Sequence, residues 1–268
     1  MNETRRLRRP AEGGYARGDE TRRRIIEAAI ELFGEKGFTA ASTREIAALA
    51  GVNAPALQYY FENKEGVYRA CVEFIADDAW SAFAPVVERA QAALDAHGDI
   101  ETLIDAFATI QDSLTERMLH KPKSLSQRLF FMREQSGHEP QIATEIVEER
   151  VRRPLNRVSA QLVSRITGRA ANDPVTLIRM MSLYGQLMLL HIAPRSAMSI
   201  LGWSEIDAEK EAMLRTTVRA QTRSLLWMWH REGTAGDQTA GIGTEVASKS
   251  AGEKPATKAK SAARGKVT

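Results

Sequence analysis

The stretch from Thr43 to Phe61 concentrates side chains that recognise hydrogen-bond patterns rather than make or break bonds. Arg44 offers the planar fork that pairs with guanine O6 and N7, and Gln58 the amide that pairs with adenine N6 and N7. Tyr59, Tyr60 and, a little further on, Lys64 suit phosphate oxygens, which set position rather than sequence. Asn53, Ala54, Pro55 and Ala56 are small, so an element bearing them can approach another surface closely. Other chemistries lack their residues. The histidines, at 97, 120, 138, 191 and 230, have no paired spacing with carboxylates or with the single cysteine, Cys71. No metal site and no cofactor are expected. Nucleophile elbow, phosphate loop and dinucleotide fingerprint are missing too, so an enzyme is not expected.

These residues need short, well-defined helices to present them. Ser42-Thr43-Arg44-Glu45 fits a capping box, in which the serine accepts from the Glu45 N–H and the glutamate reaches back. Ile46, Leu49 and Ala50 give that helix an apolar side, and Gly51 permits a tight turn. Asn53 caps a next helix with Pro55 in its first turn, and Leu57 and Phe61 point inward. Two short helices about a glycine turn make a helix-turn-helix. Its second helix enters the DNA major groove with its N-terminal residues at base edges. That helix is too short to be stable alone. Asn63 caps a fourth helix opening with Lys64-Glu65. A lysine there opposes the positive end of the helix dipole, which suits an anionic partner. Ahead of the motif, Ile25, Ala29 and Phe33 recur at intervals of four, widened by Ile26 and Leu32, in a helix expected to end near Gly34 and Gly37.

Residues 20–75 resemble the DNA-binding domain of the TetR family. The family pattern of a Gly-aromatic pair, T-x-x-I-A-x-x-A-G-V, an aromatic and a K-E pair reads here as Gly37-Phe38, Thr43 to Val52, Phe61 and Lys64-Glu65. The resemblance implies DNA contacts from Thr43 and Arg44. It also implies base or sugar contacts from Ala54, Pro55, Ala56 and Gln58, and backbone contacts from Tyr59, Tyr60 and Lys64. Gln58 stands where the family usually has tyrosine, and Tyr60 where it often has histidine. The CecR-like branch looks most similar, through Lys64-Glu65-Gly66-Val67-Tyr68, Arg133-Glu134, His138-Glu139-Pro140, Pro154 and Gly185-Gln186. The resemblance implies a C-terminal helical bundle with an effector pocket and a dimer interface.

The rest of the chain reads as helix too. Apolar residues keep three-four spacing through residues 100–114 and 142–166, with a kink expected at Pro154. Residues 174–193 are apolar on nearly all sides, and 205–231 form a last amphipathic helix ending at Gly233. The expected fold is all-α. Its divisions are a basic arm without regular structure (1–18), the helix-turn-helix domain (19–66), a helical effector-binding and dimerisation domain (67–232) and a basic tail without regular structure (233–268). The candidate effector pocket is Trp80, Phe107, Phe131, Arg133, Tyr184 and Met188. Arg128, Arg133, Glu134, Gln186 and His191 interrupt apolar stretches and need partners, either an effector or structural ion pairs. The candidate dimer interface is Met181, Tyr184, Gly185, Met188, Leu225 and Trp229. Cys71 is expected to lie in the core beside Val67, Phe74 and Ile75, as an inert thiol.

Charge sits at the ends. Residues 1–18 carry five arginines against two glutamates, and 233–268 carry five lysines and an arginine against three acids. With a net charge of only +3 the middle is slightly acidic, the pattern of a compact body with arms suited to a polyanion. One cysteine argues for a reducing compartment, and the arginine-rich start lacks the apolar stretch of a secretory leader, so the cytoplasm is expected. Arg179, Gln186 and His191 interrupt the apolar run at 175–193, so no membrane span is expected. The expected function is a homodimeric regulator bound to palindromic double-stranded operator DNA and released as a repressor by a small-molecule effector. The alternative is an architectural, weakly specific DNA binder that uses its basic tails.

Overall fold

The computed structural model describes residues 12–120, 125–135, 137 and 139–249, and every element among them is helical. The long α1 (Glu12–Ala40) packs with α2 (Thr43–Leu49) and α4 (Lys64–Asp95), and α2 packs in turn with α3 (Ala54–Tyr60). Ile25, Ile26, Ala29, Ile30 and Phe33 form its buried stripe, closed by Ile46, Leu57 and Phe61. Helix α4 continues into a bundle of α5 (Ile100–His120), α6 (Leu125–Gln135), α7 (Ile142–Val147), α8 (Arg153–Thr167), α9 (Pro174–Gly185), α10 (Met188–Ile192), α11 (Pro194–Leu201) and α12 (Ala208–Lys249). No helix among the described residues is long and apolar enough to cross a membrane.

Glycines that looked like helix stops are places of close approach. Helix α1 runs through Gly34, where a Cβ would lie 2.0 Å from the Ser126 carbonyl oxygen of α6. The backbone leaves helical geometry only at Gly37, whose φ of 80° suits glycine. Likewise α12 passes Gly233, where a Cβ would lie 2.3 Å from the Thr167 carbonyl oxygen at the end of α8. Helix α12 therefore runs on to Lys249, well into the stretch expected to lack regular structure. Helix α1 also begins inside the expected arm, at Glu12. Residues 1–11 and 250–268 lie outside the described residues.

Two other breaks have polar causes. Pro154 lacks the N–H that the Arg150 carbonyl would use, and the chain from α7 into α8 widens to a π turn at Glu148–Arg152. The apolar run at 174–193 divides between α9 and α10 instead of forming one helix. At that break the buried Gln111 amide donates to the Leu183 carbonyl at 2.8 Å, and the Thr222 hydroxyl donates to the Gln111 oxygen at 2.5 Å. Thr222 also reaches the Gln186 oxygen at 3.4 Å. Along the α5–α12 seam, Arg219 and Arg223 pair with Asp105, and Asp112 and Glu101 complete the row.

Candidate functional site

Local signals build the α2–α3 unit. Ser42 and Glu45 form the full capping box, with the Ser42 N–H donating to Glu45 at 3.0 Å. Lys36 donates to the other carboxylate oxygen at 2.6 Å. That ammonium, then the Ser42 hydroxyl and N–H, hold the Glu45 carboxyl down at about 2. Gly51, at φ 66°, turns the chain, and the Val52 N–H donates to the Ala47 carbonyl at 2.9 Å. Asn53 caps α3 by accepting the Ala56 N–H at 2.8 Å.

The candidate contact residues then fall into two sets. Arg44, Asn53, Ala54, Pro55, Gln58 and Tyr59 are exposed, and Thr43 and Ala56 are partly so. A surface groove of about 510 Å³ brings Thr43, Gln58 and Lys64 to one face. Tyr59 is 85% exposed, a large aromatic with almost no protein cover. Tyr60 and Lys64 are more constrained. Tyr60 is half-buried against Phe61, with its hydroxyl beside Gly18 of α1. Lys64 turns back on α1: its Nζ donates to the Thr39 carbonyl at 3.1 Å and lies 4.6 Å from the Phe38 ring centre. The lysine at this helix start is thus already matched by a carbonyl and an aromatic face.

A cavity of about 320 Å³ opens among helices α4 to α10, with Arg128 of α6 and Val147 of α7 in its lining. Ile75, Phe83, Leu114, Val151 and Leu155 give it an apolar wall, and Arg117, Arg128, Arg152 and His191 stand among them. Of the six candidate pocket residues, it gathers Tyr184 and Met188. Phe107 is buried behind Tyr184, stacked at 5.8 Å, and Trp80 packs on the core without lining the cavity. The Phe131 side chain lies outside the described residues. Arg133 lies elsewhere: it donates to the Gly34 and Glu35 carbonyls of α1 at 3.0 and 3.1 Å. Glu134, beside it in sequence, is buried and pairs with Arg152 at 3.0 Å. These two residues took the structural option, whereas Arg128 and His191 reached the cavity.

Both halves of the chain match known families. The model for bacterial regulatory proteins of the tetR family matches residues 25–71, and that for the C-terminal domain of the HTH-type transcriptional dual regulator CecR matches 103–227. CecR of Shigella flexneri is 31% identical over 202 residues, 75% of this chain and 89% of that protein. The chain belongs to the TetR family. Other relatives share less of it. The regulatory protein RaaS of Mycobacterium tuberculosis is 43% identical over 65 residues, 24% of this chain and 30% of that one. A solved TetR-family regulator from Bordetella parapertussis is 19% identical over 74% of this chain and 92% of that chain, with a TM-score of 0.49. This TetR-family chain is accordingly a DNA-binding transcriptional regulator.

In this TetR-family bundle the candidate interface residues also divide. Met181 is 65% exposed, and Gly185 has open space beside it. Met188 is exposed at its edge while touching the cavity. Tyr184 instead turns inward to share a hydrogen bond with Ser159, and burial pushes its phenol up. Trp229 is buried under the Arg179 guanidinium, 5.0 Å from its ring centre, and Leu225 is half-buried against the core. An all-round apolar helix gives no sign of which face looks outward. Cys71 is fully buried, with its thiol pushed up by desolvation, while Phe74, expected beside it, is exposed. Among the described residues no cluster of histidine, cysteine and carboxylates has the makings of a metal site.

Proposed function

We propose that this regulator is a homodimeric repressor of a palindromic operator, released when a small molecule fills the bundle cavity. The observation that carries the reading is the exposed row on α2 and α3, from Arg44 through Gln58 to Tyr59, held rigid by caps on both helices. Residues 19–66 act as the reading unit, and 67–232 as the sensing and dimerising unit. Two copies paired through the outer face of α9 hold their recognition helices about one DNA turn apart, roughly 34–36 Å. The effector favours a bundle state with another spacing, and its differential affinity for the two states sets how far the equilibrium moves. The protein acts in the cytoplasm, where its DNA lies.

The test is binding of the full chain to its own upstream DNA and to random DNA across a salt series. A preference of about 10³-fold or more at physiological salt supports a sequence-specific regulator. Equal affinity for random DNA and for every candidate operator overturns it. A small-molecule library added to the operator complex then tests release. In vitro transcription from the same DNA reads the sign of regulation, which matters because the Shigella flexneri relative is named a dual regulator.

A further inference from the structure

The cavity's charged groups identify the kind of molecule it takes. Among the described residues three arginines, Arg117, Arg128 and Arg152, line it together with His191, and no aspartate or glutamate does. Arg117 is only 10% exposed and is held by Asp78 of α4, through the carboxylate at 3.0 Å and the backbone carbonyl at 3.2 Å. Arg152 is held from behind, with Nη1 and Nη2 donating to the two oxygens of buried Glu134 at 3.4 and 3.0 Å. A guanidinium has five N–H donors in a fixed fork, so each of these arginines keeps donors to spare. Arg128 is exposed and has no ion-pair partner among the described residues. The remaining lining is largely apolar side chains, with the Gln111, Asn156 and Tyr184 polar groups between them.

We infer that the ligand is a small amphipathic anion, an apolar body with one carboxylate, seated with its head among Arg128, Arg152 and Arg117. The inference rests on the cavity being the effector site and goes beyond it by naming the chemistry. Cationic and neutral apolar molecules fit the wall but leave Arg128 without a counter-charge and the spare donors of Arg117 and Arg152 unused. A carboxylate instead gains charge-assisted, two-pronged hydrogen bonds in a partly dry site. A volume of about 320 Å³ lies at the small end of ligand pockets, which favours a compact acid over a long chain. The position also suits signalling. Arg152 holds Glu134, and the adjacent Arg133 grips α1 at Gly34 and Glu35. A carboxylate drawing on Arg152 therefore acts at the bundle end of a chain of contacts that ends on the DNA-reading domain.

Matched probes test this by calorimetry on the full chain: 4-phenylbutanoate against 4-phenylbutanamide, and octanoate against octanamide. Each acid is expected to bind at least about tenfold more tightly than its amide. Arg128→Gln, and the double change Arg152→Met with Glu134→Leu, are each expected to cost the acids about tenfold more than they cost the amides. The double change removes both members of the pair, so no buried charge is left alone to unfold the protein. Equal binding of acids and amides overturns the inference, as does an acid preference that survives both variants. Binding of neither probe pair also overturns it. The effector reading itself is judged separately, by release of the operator complex with the wider library.

Discussion

The Arg133 guanidinium on α6 donates from Nε to the Gly34 carbonyl oxygen of α1 at 3.0 Å, joining groups 99 positions apart in the chain. Its Nη2 takes the next carbonyl, at Glu35, and Glu139 accepts the Phe38 N–H at 3.0 Å. The free carbonyls near the end of α1 are thus satisfied by the bundle rather than by water. Gly34 and Gly37 make room for this contact, since side chains there would meet the Ser126 backbone and the Arg133 and Glu139 side chains.

Arg133→Ala is therefore expected to loosen the reading domain from the bundle. Stability should fall by about 1.5–3 kcal/mol in urea unfolding, the scale of hydrogen bonds involving a charged group. Amide exchange at Phe38 should quicken, and operator affinity should respond less to effector. Arg133→Lys should recover little, because an ammonium lacks the fork that spans two carbonyls. Unchanged exchange at Phe38 would show that the contact does not couple the two parts.

The reading helices were legible because their signals are local. Ser42 with Glu45, Gly51 and Asn53 each act within four residues, and each sits in the geometry its type favours. The cavity was not legible, because Ile75, Leu114, Val151 and Met188 come together only when four separate helices pack. A guanidinium inside an apolar stretch looks the same whether it faces a cavity, as Arg128 does, or a neighbouring helix, as Arg133 does. Gly233 carried an equally ambiguous signal: glycine ends helices, but it also lets backbones touch, and the Thr167 carbonyl decides for the second. Tyr184 and Trp229 lay on helices apolar all round, where only the packed neighbours Ser159 and Arg179 show which way they turn.

Lys64 and Gln58 should fail differently when replaced. Gln58→Ala and Arg44→Ala remove exposed groups, so thermal stability should hold while specific binding weakens by about 1–3 kcal/mol each. Lys64→Ala loses the Thr39 hydrogen bond and the Phe38 ring contact. It should lower the melting temperature and weaken specific and random DNA binding by similar factors. Anisotropy titrations on both DNAs, beside a thermal melt, separate the two patterns. A Lys64→Ala protein with unaltered melting would mean that the lysine is not part of the fold's support.

Glu45 gives the reading domain an acid-sensitive joint. Its carboxyl is held at about 2, below the ordinary 4.5, first by Lys36 and then by Ser42. A carboxyl lowered on folding contributes stability that is fully present above the unfolded value and is lost as pH falls toward the folded one. The window here is from about pH 5 down to about 2. Wild type should exceed Glu45→Gln in melting temperature by a constant margin near neutrality, and the margin should shrink as pH drops from 5 to 3. A margin that stays flat across that range would show that the charged form of Glu45 has no stabilising role.

The outer face of α9 presents Val175, Ile178, Met181 and, beyond the break, Leu189 and Ile192, all exposed on the protomer. Their spacing draws one apolar stripe, which a solitary protomer would leave in water. Ile178 and Met181 are 63% and 65% exposed, so Ile178→Asp and Met181→Asp disturb no core packing. The doubly changed protein should keep its helical circular dichroism while sedimenting as a monomer at micromolar concentration. It should also lose about 100-fold or more in operator affinity, because two half-sites are no longer engaged at once. Trp229→Ala is the contrast: that ring is buried within the protomer, and its loss should cost about 3–5 kcal/mol of stability. A dimer that survives both aspartates would place the two-fold contact on another face.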